Sequence, residues 1–563
     1  MTKQTLNHAG AAATDASGDV TEFDAVVVGA GFAGLYMLHR LRDHLGLSVR
    51  VFEAAPGVGG TWHWNRYPGA RCDSEGYVYC YSFSKELLAE WHWSGKYPMQ
   101  PEIRAYLEHV ADRFELRPDI QLGTRVTAAH YQDSDGRWKI VTDRGEQVSA
   151  RYLITGVGLL ASAPYTPDIP GLADFAGECH HTGQWPDHPV DFAGKRVGVI
   201  GTGSTAVQAI PVIAGEAGHL SVFQRSPQYT IPARHHTVDE ESLAEIRRNY
   251  DEIWAQARWS VSGFPYQHNG LSALSVSDEE RRETFEALWA QGGFKFVFGS
   301  YKDLITNLEA NAYAAEFIRE KIREAVDDPA TARKLVPTDH PFGARRPIVD
   351  THYFETYNRD NVTLVDLRET PIDRVTEKGV RTTGGEHELD VLVLATGFDA
   401  VTGPFSRIDI RGRDGLLLTD AWADGPQAYL GLAIAGFPNL FTITGPGATF
   451  GNLPVSIEHH VEWISQCIED NRRHDVTVTE VTHEAQESWM EHVRRQSDRN
   501  VGATTDSWFN GANIPGKPRS PLFFFGSFGL YRRRCDDVAE QGYQGFVRLS
   551  AAGISAGPAA GDG

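Results

Sequence analysis

Cysteine is scarce: the chain has five in 563 residues, Cys72, Cys80, Cys179, Cys467 and Cys535, and no C-x-x-C pair. So odd and scattered a set argues against a disulfide framework and against a dithiol redox centre. It suits reduced thiols, so a cytoplasmic protein is expected. No apolar run approaches a membrane span, and the N-terminus lacks the apolar core of a secretion signal. Positive charge is also short, with 53 Lys and Arg against 74 Asp and Glu, a formal net charge of −21. That balance argues against nonspecific binding to nucleic acid or anionic membranes, so any basic pocket must be local. The doublets His180-His181, His235-His236 and His459-His460 show no ligand spacing with carboxylates or cysteines, and no metal is expected.

What is present is length and glycine. A chain of 563 residues is too long for one ordinary core and implies two or three domains. Hydrophobic residues at 41% and charged residues at 23% fit a globular protein. Residues 1–20 and 551–563 read as disordered tails rich in small residues.

An apolar strand, Asp24–Val28, runs into Gly29-Ala30-Gly31-Phe32-Ala33-Gly34 and a helical pattern, Leu35 to Leu45. A second strand, Leu47–Phe52, ends at Glu53, nineteen positions after Gly34. The glycines let backbone turn tightly and approach a pyrophosphate at a helix N-terminus. Glu53 is placed to accept hydrogen bonds from ribose hydroxyls. An acid there repels a 2′-phosphate, so this turn suits FAD or NAD.

The pattern returns at Arg196–Ile200, followed by Gly201-Thr202-Gly203-Ser204-Thr205-Ala206, a helix to about Ala214 and a strand Leu220–Phe223. This strand ends in Gln224-Arg225-Ser226 and carries no acid. A guanidinium and a hydroxyl at the ribose end suit a 2′-phosphate, hence NADPH. Two turns of opposite ribose-end chemistry imply a resident cofactor and a reductant, FAD and NADPH. The fold class is therefore α/β: two Rossmann-like dinucleotide-binding domains with a helical insert.

Tyr152–Gly158 and Leu392–Asp399 are apolar strands ending in glycine-containing turns, and both read as crossings between the domains. They divide the chain into a discontinuous FAD domain, 21–160 and 390–550, and an NADP domain, 161–234 and 336–389. Residues 235–335 break the α/β rhythm with helical stretches such as Glu280–Ala290 and Ala312–Ala325.

Just before the second turn stands Phe175-Ala176-Gly177-Glu178-Cys179-His180-His181-Thr182-Gly183-Gln184-Trp185-Pro186. With Gly59-Gly60-Thr61-Trp62-His63-Trp64-Asn65-Arg66-Tyr67-Pro68-Gly69, it resembles the type I Baeyer–Villiger monooxygenases over about 22–548. Gly292–Gly299 and Ala448–Pro454 are similar to the cyclohexanone monooxygenase branch, whereas Gly69–Asp73 is similar to the phenylacetone and steroid monooxygenase branch. His63 stands where tyrosine is more usual, and Arg345 where lysine is.

The resemblance implies an enzyme that uses FAD, NADPH and O2 to convert ketones, cyclic ones foremost, to lactones or esters through a flavin C4a-peroxide. It implies Arg346 as the catalytic cation, with Asp73 as its carboxylate partner. It adds Gly60, Thr61, Trp62, Asp73 and Tyr79 to Gly29, Gly31, Phe32, Ala33, Gly34 and Glu53 around the flavin. Around NADP it gathers Gly201, Thr202, Gly203, Ser204, Thr205, Gln208, Arg225, Ser226, Arg345, Arg346 and Trp508, the tryptophan closing over the nucleotide. In the motif of Phe175, Gly177, His181, Trp185 and Pro186, His181 reads as a linker residue and not as a base. A monomer or weak homo-oligomer is expected. Flavin monooxygenases acting on nitrogen or sulfur share both turns, but the 175–186 motif and the Arg346/Asp73 pair argue against that reading. A flavin-bound redox sensor is the non-enzyme alternative, distinguished by the lack of ketone-stimulated NADPH turnover.

Overall fold

The structure, a computed structural model, describes residues 20–160 and 163–552. The expected tails fall almost wholly outside the described residues.

The first sheet has eight strands. At its centre Thr21–Val28 pairs in parallel with Val49–Phe52 on one side and Gln147–Thr155 on the other. Its inner half, Ala25–Val28, is buried, as a strand covered on both faces must be. Ile120–Gln121 extends the sheet beyond Val49–Phe52, and the antiparallel strands Arg137–Thr142 and Val126–Gln132 extend it beyond Gln147–Thr155. Two late segments return to this sheet: Asp409–Arg411 along its edge and Leu440–Thr442 beside Leu153–Thr155. The helix after the first glycine turn starts at Phe32, three residues before the expected Leu35. It opens into a π-helical turn over Arg40–His44.

The second sheet is wholly parallel, in the order Val362–Asp366, His219–Gln224, Arg196–Ile200, Val391–Leu394, Glu178–His181. Its glycine turn feeds the helix Ser204–Glu216. Val391–Leu394 corrects the boundary expected at 390. It lies between Arg196–Ile200 and Glu178–His181, so the chain leaves the second sheet only after Leu394. The run is apolar on both faces, and nothing in such a run reveals which of two parallel sheets it joins.

The chain's two passages between the sheets lie side by side. Tyr165 N–H donates to Gly397 O at 2.9 Å, and Pro164 forms an antiparallel bridge with Phe398. Between 235 and 335 the chain is helical, notably over Asp278–Gln291 and Leu308–Ala325. Ser277 and Asn307 cap those two helices by accepting backbone N–H groups.

The two glycine turns differ in how tightly their helices pack. A Cβ on Gly34 would stand 1.8 Å from Gly29 O, whereas the second fold carries Ala206 at the matching position, fully buried. Gly34→Ala should therefore destabilise the protein by about 3 kcal/mol. Ala206→Gly should cost about 1 kcal/mol through helix propensity alone. Thermal unfolding of both variants checks the order, and equal losses would contradict the packing difference.

Candidate functional site

The first turn is built for close approach. Gly29 has φ +101°, and a Cβ there would meet Gly156 O at 2.6 Å, so the fold itself requires this glycine. Gly31 is different: its φ is an ordinary −87°, and its Cβ would come no closer than 3.4 Å to any atom, the Cα of Gly60. The fold itself does not require glycine at 31, and its absence of a side chain leaves room for a pyrophosphate to approach the turn. Glu53, 5% exposed, closes the site by accepting Ala30 N–H and Ala55 N–H, each at 2.7 Å. Burial raises its pKa, and the two amides oppose that rise.

Gly60 caps the short helix Thr61–Trp64. The Trp62 indole N–H donates to Tyr79 Oη at 3.1 Å, and the Tyr79 ring meets Phe32 edge to face at 5.4 Å. Ala33 is buried behind them. Nearby, Asn452 Nδ2 donates to Val78 O at 2.7 Å, while the buried Thr449 Oγ1 and Asn452 Oδ1 have no protein partner. Those atoms and the space opposite Gly31 suit a bound polar ring system. His63, buried with Nδ1 unpartnered, has its pKa lowered to about 4 by burial, with Arg104 and Arg66 adding to the effect.

The second turn repeats the logic. Gly201 has φ +110°, and its Cβ would strike Ala395 O at 2.4 Å. Gly203 has φ −78°, and a Cβ there would meet nothing within 4 Å, so the fold itself does not require this glycine and the space beside it is open. Thr202 Oγ1 donates to Ser226 O at 2.8 Å, pinning the segment that carries Arg225. Thr205 and Thr182 hydroxyls pair at 3.2 Å. Arg225 is exposed and feels Arg345, whose pKa is lowered by burial first and by Arg225's charge besides. Asp339, 3.7 Å from Arg345, only partly offsets this. Two guanidinium groups held in mutual repulsion make a fitting seat for a phosphate dianion.

Between the turns stands one ion pair. Asp73, 6% exposed, accepts Arg346 Nη1 at 2.7 Å on one oxygen and Gln208 Nε2 at 2.9 Å on the other. Arg346 Nη1 also donates to Ser204 Oγ at 3.1 Å, and its guanidinium lies 5.6 Å from the Phe294 ring centre. Gln208 is fixed in turn: its Oε1 accepts Tyr67 Oη at 2.8 Å. The Asp73–Arg346 pairing expected from the resemblance is thus present. Two of its supports were not anticipated. Tyr67 lies inside the recognised 59–69 stretch, but nothing in that stretch points to Gln208. Phe294 lies in the recognised 292–299 stretch, but nothing there points to Arg346.

His181 binds the two interdomain passages. Its Nδ1 accepts Gly183 N–H at 2.9 Å, which leaves Nε2–H to donate to Tyr165 O at 3.1 Å, with Thr396 Oγ1 at 3.3 Å. Burial lowers its pKa, which favours the neutral ring, and the carbonyl of Tyr165 opposes that shift. The rest of the motif braces the same junction. Trp185 O accepts Arg66 Nη2 at 3.0 Å, and a Cβ on Gly177 would lie 2.4 Å from Asp390 O. Phe175 is half-buried against the second sheet, and Pro186 is half-buried beside Trp185. Trp508 is half-buried among Phe450, Phe509 and Phe523. Its loop reaches the second site through Asp506 O, which accepts Arg345 Nε at 3.2 Å. Among the described residues no group of three or more His, Cys, Asp or Glu side chains is arranged to hold a metal ion. No helix there is long and apolar enough to cross a membrane.

Two glycine turns, one acid-ended and one arginine-ended, facing an ion pair between buried Asp73 and half-buried Arg346 define a flavin monooxygenase with two dinucleotide folds. The flavin-binding monooxygenase-like family matches residues 24–231. A Baeyer–Villiger monooxygenase of Pseudooceanicola batsensis is 47% identical over 94% of this chain and 96% of its own length. A phenazine N-monooxygenase of Lysobacter antibioticus is also 47% identical, over 94% and 97%. The crystal structure of cyclohexanone monooxygenase from Rhodococcus sp. Phi1 bound to NADP+ superposes with a TM-score of 0.93 at 47% identity, covering 95% of this chain and all of that one. The chain belongs to the Baeyer–Villiger monooxygenase family.

Gly31→Ala should fold normally but lose flavin on gel filtration, and Gly203→Ala should keep flavin but bind NADP+ more weakly. Full retention of both ligands by both variants would contradict the assignment of these turns.

Proposed function

We propose that the protein is an FAD- and NADPH-dependent Baeyer–Villiger monooxygenase that inserts an oxygen atom from O2 into ketones, with cyclic ketones as the main substrate class. The observation that carries the catalytic reading is the Asp73–Arg346 pair at 2.7 Å, set between the two turns. In this reading residues 21–160 and about 395–550 hold the flavin, with Gly29, Gly31, Phe32, Ala33, Gly34, Glu53, Gly60, Thr61, Trp62 and Tyr79 around it. The nucleotide lies on Gly201–Thr205, with Gln208 and Ser226 nearby and its 2′-phosphate between Arg225 and Arg345. The helices of 235–335 roof the cleft, and Trp508 closes it from the other side. The bound flavin supplies the activation of O2, chemistry that no side chain provides.

The protein's part is electrostatic. As a carbonyl carbon is attacked, its oxygen becomes an anion, and Arg346 offers it a fixed cation. Asp73 sets the orientation of that cation through a charge-assisted hydrogen bond. Gln208 keeps the second Asp73 oxygen occupied, so the carboxylate cannot turn away. Phe294 excludes water from one side of the guanidinium. His181 neither gives nor takes a proton; it holds the linkers.

N-oxygenation is the second reading, favoured by the likeness to the Lysobacter enzyme. It differs chemically, since an amine nitrogen attacks directly and no carbonyl oxyanion develops. We place the protein in the cytoplasm, which five free cysteines suit, and expect a monomer or weak homo-oligomer.

The test is product analysis. Protein with NADPH, air and cyclohexanone should yield the lactone, and with phenazine no N-oxide. N-oxide without lactone would overturn the ketone reading. Arg225→Ala should raise KM for NADPH by roughly 10- to 150-fold, the equivalent of about 1.5–3 kcal/mol for one charge-assisted contact. It should leave NADH use unchanged, and equal use of both nucleotides by the parent would contradict the phosphate site.

A further inference from the structure

The second and third turns of helix Ser204–Glu216 form one wall of a cleft of about 370 Å3 that opens to solvent. Gln208, Pro211 and Val212 line it there, and Thr351, Thr356 and Arg359 line it opposite. Arg71, which has no part in the oxygenation chemistry, also faces this cleft.

A guanidinium has five N–H donors. In Arg71, Nε donates to Gly69 O at 3.3 Å and Nη1 donates to Thr351 Oγ1 at 3.2 Å, both long. The carboxylate whose field it feels, Asp73, is committed to Arg346 and Gln208. Among the described residues Arg71 forms no ion pair, although much of the side chain is buried. Its unused donors are not sealed inside protein; they reach the cleft. A half-buried cation without a counter-charge is costly unless solvent or an anion answers it.

A second arginine lines the cleft. Arg359 uses Nε on Asn361 Oδ1 at 3.2 Å and keeps both Nη groups for other partners. His352 stands beside it. Glu355, the one acid in the lining, sits on the exposed lip, 3.8 Å from His352. In a chain of net charge −21 this is a local excess of positive charge.

We infer that this cleft is a binding site for a small oxyanion, a carboxylate or a phosphate group, seated on Arg71 with Arg359 and the Thr351 hydroxyl around it. It is separate from the 2′-phosphate seat at Arg225 and Arg345. It shares one wall residue with the catalytic junction: Gln208 Nε2 donates to Arg71 O at 3.1 Å as well as to Asp73. The binding itself does not rest on the oxygenation reading.

Calorimetric titration of the flavin-loaded protein saturated with NADP+ tests this, because the nucleotide then fills the other phosphate seat. Inorganic phosphate and acetate are titrated separately at constant ionic strength. The parent should bind at least one of them at a single site, and stronger binding of phosphate or of acetate tells which group the cleft takes. Arg71→Gln should weaken binding by about tenfold or more, the loss of a charge-assisted contact. Glu355→Gln should tighten it by about two- to fivefold, since an exposed acid on the lip opposes the anion weakly. No saturable binding of either anion by the parent, or unchanged affinity in Arg71→Gln, would overturn the inference. If circular dichroism shows Arg71→Gln unfolded, Glu355→Gln and Arg359→Gln decide: unchanged affinity in both overturns it.

Discussion

The ion pair between Asp73 and Arg346 is the contact on which the rest of the arrangement depends. Its members are 273 positions apart in sequence, and its supports come from a third place, Ser204 and Gln208 on the nucleotide helix. Burying a carboxylate as deeply as Asp73 is costly unless partners are there to meet it. The segment 67–73, the start of helix Ser204–Glu216 and the loop that carries Arg346 must therefore all dock before the pair can form. The site is assembled by the same contacts that fix the two sheets against each other. His181 does the corresponding work at the linkers, where it ties Tyr165 to Thr396.

The glycines divide into two physical classes, and the division carries the cofactor reading. Gly29, Gly34 and Gly201 are demanded by the chain, through positive φ or through a backbone oxygen where a Cβ would sit. Gly31 and Gly203 are not. Their ordinary dihedrals, and the absence of any clash for a Cβ, leave room for close approach by a pyrophosphate, which is the role proposed for them. In the proposed function, the opposite charges of Glu53 and Arg225 at the ends of the two turns are what would sort FAD from NADPH.

Much of this was legible in sequence because it is local. A strand, a glycine turn, a helix and a terminal acid or arginine lie within about thirty residues, and both sets fell within a few residues of their observed bounds. The Arg346–Asp73 pair was legible only through family resemblance, since no periodicity links positions so far apart. The side on which Val391–Leu394 pairs was not legible, because an apolar run has no address. Nor was the hold of Tyr67 on Gln208, or the seat of Phe294 under Arg346; both are tertiary contacts between segments with no shared pattern. Trp508 was placed by resemblance at the nucleotide, and its ring is found packed in a phenylalanine cluster whose loop touches Arg345.

The central claim is that Arg346 stabilises the oxyanion formed when the ketone is attacked. Stopped-flow measurement on Arg346→Ala separates that step from the others: flavin reduction by NADPH is followed without oxygen, then oxygen and cyclohexanone are added and lactone is quantified. The account predicts that the flavin is bound and still reduced, while lactone formation falls on the order of 100-fold. Lactone formed at the parent rate would contradict it, whatever the fate of the rest of the assignment.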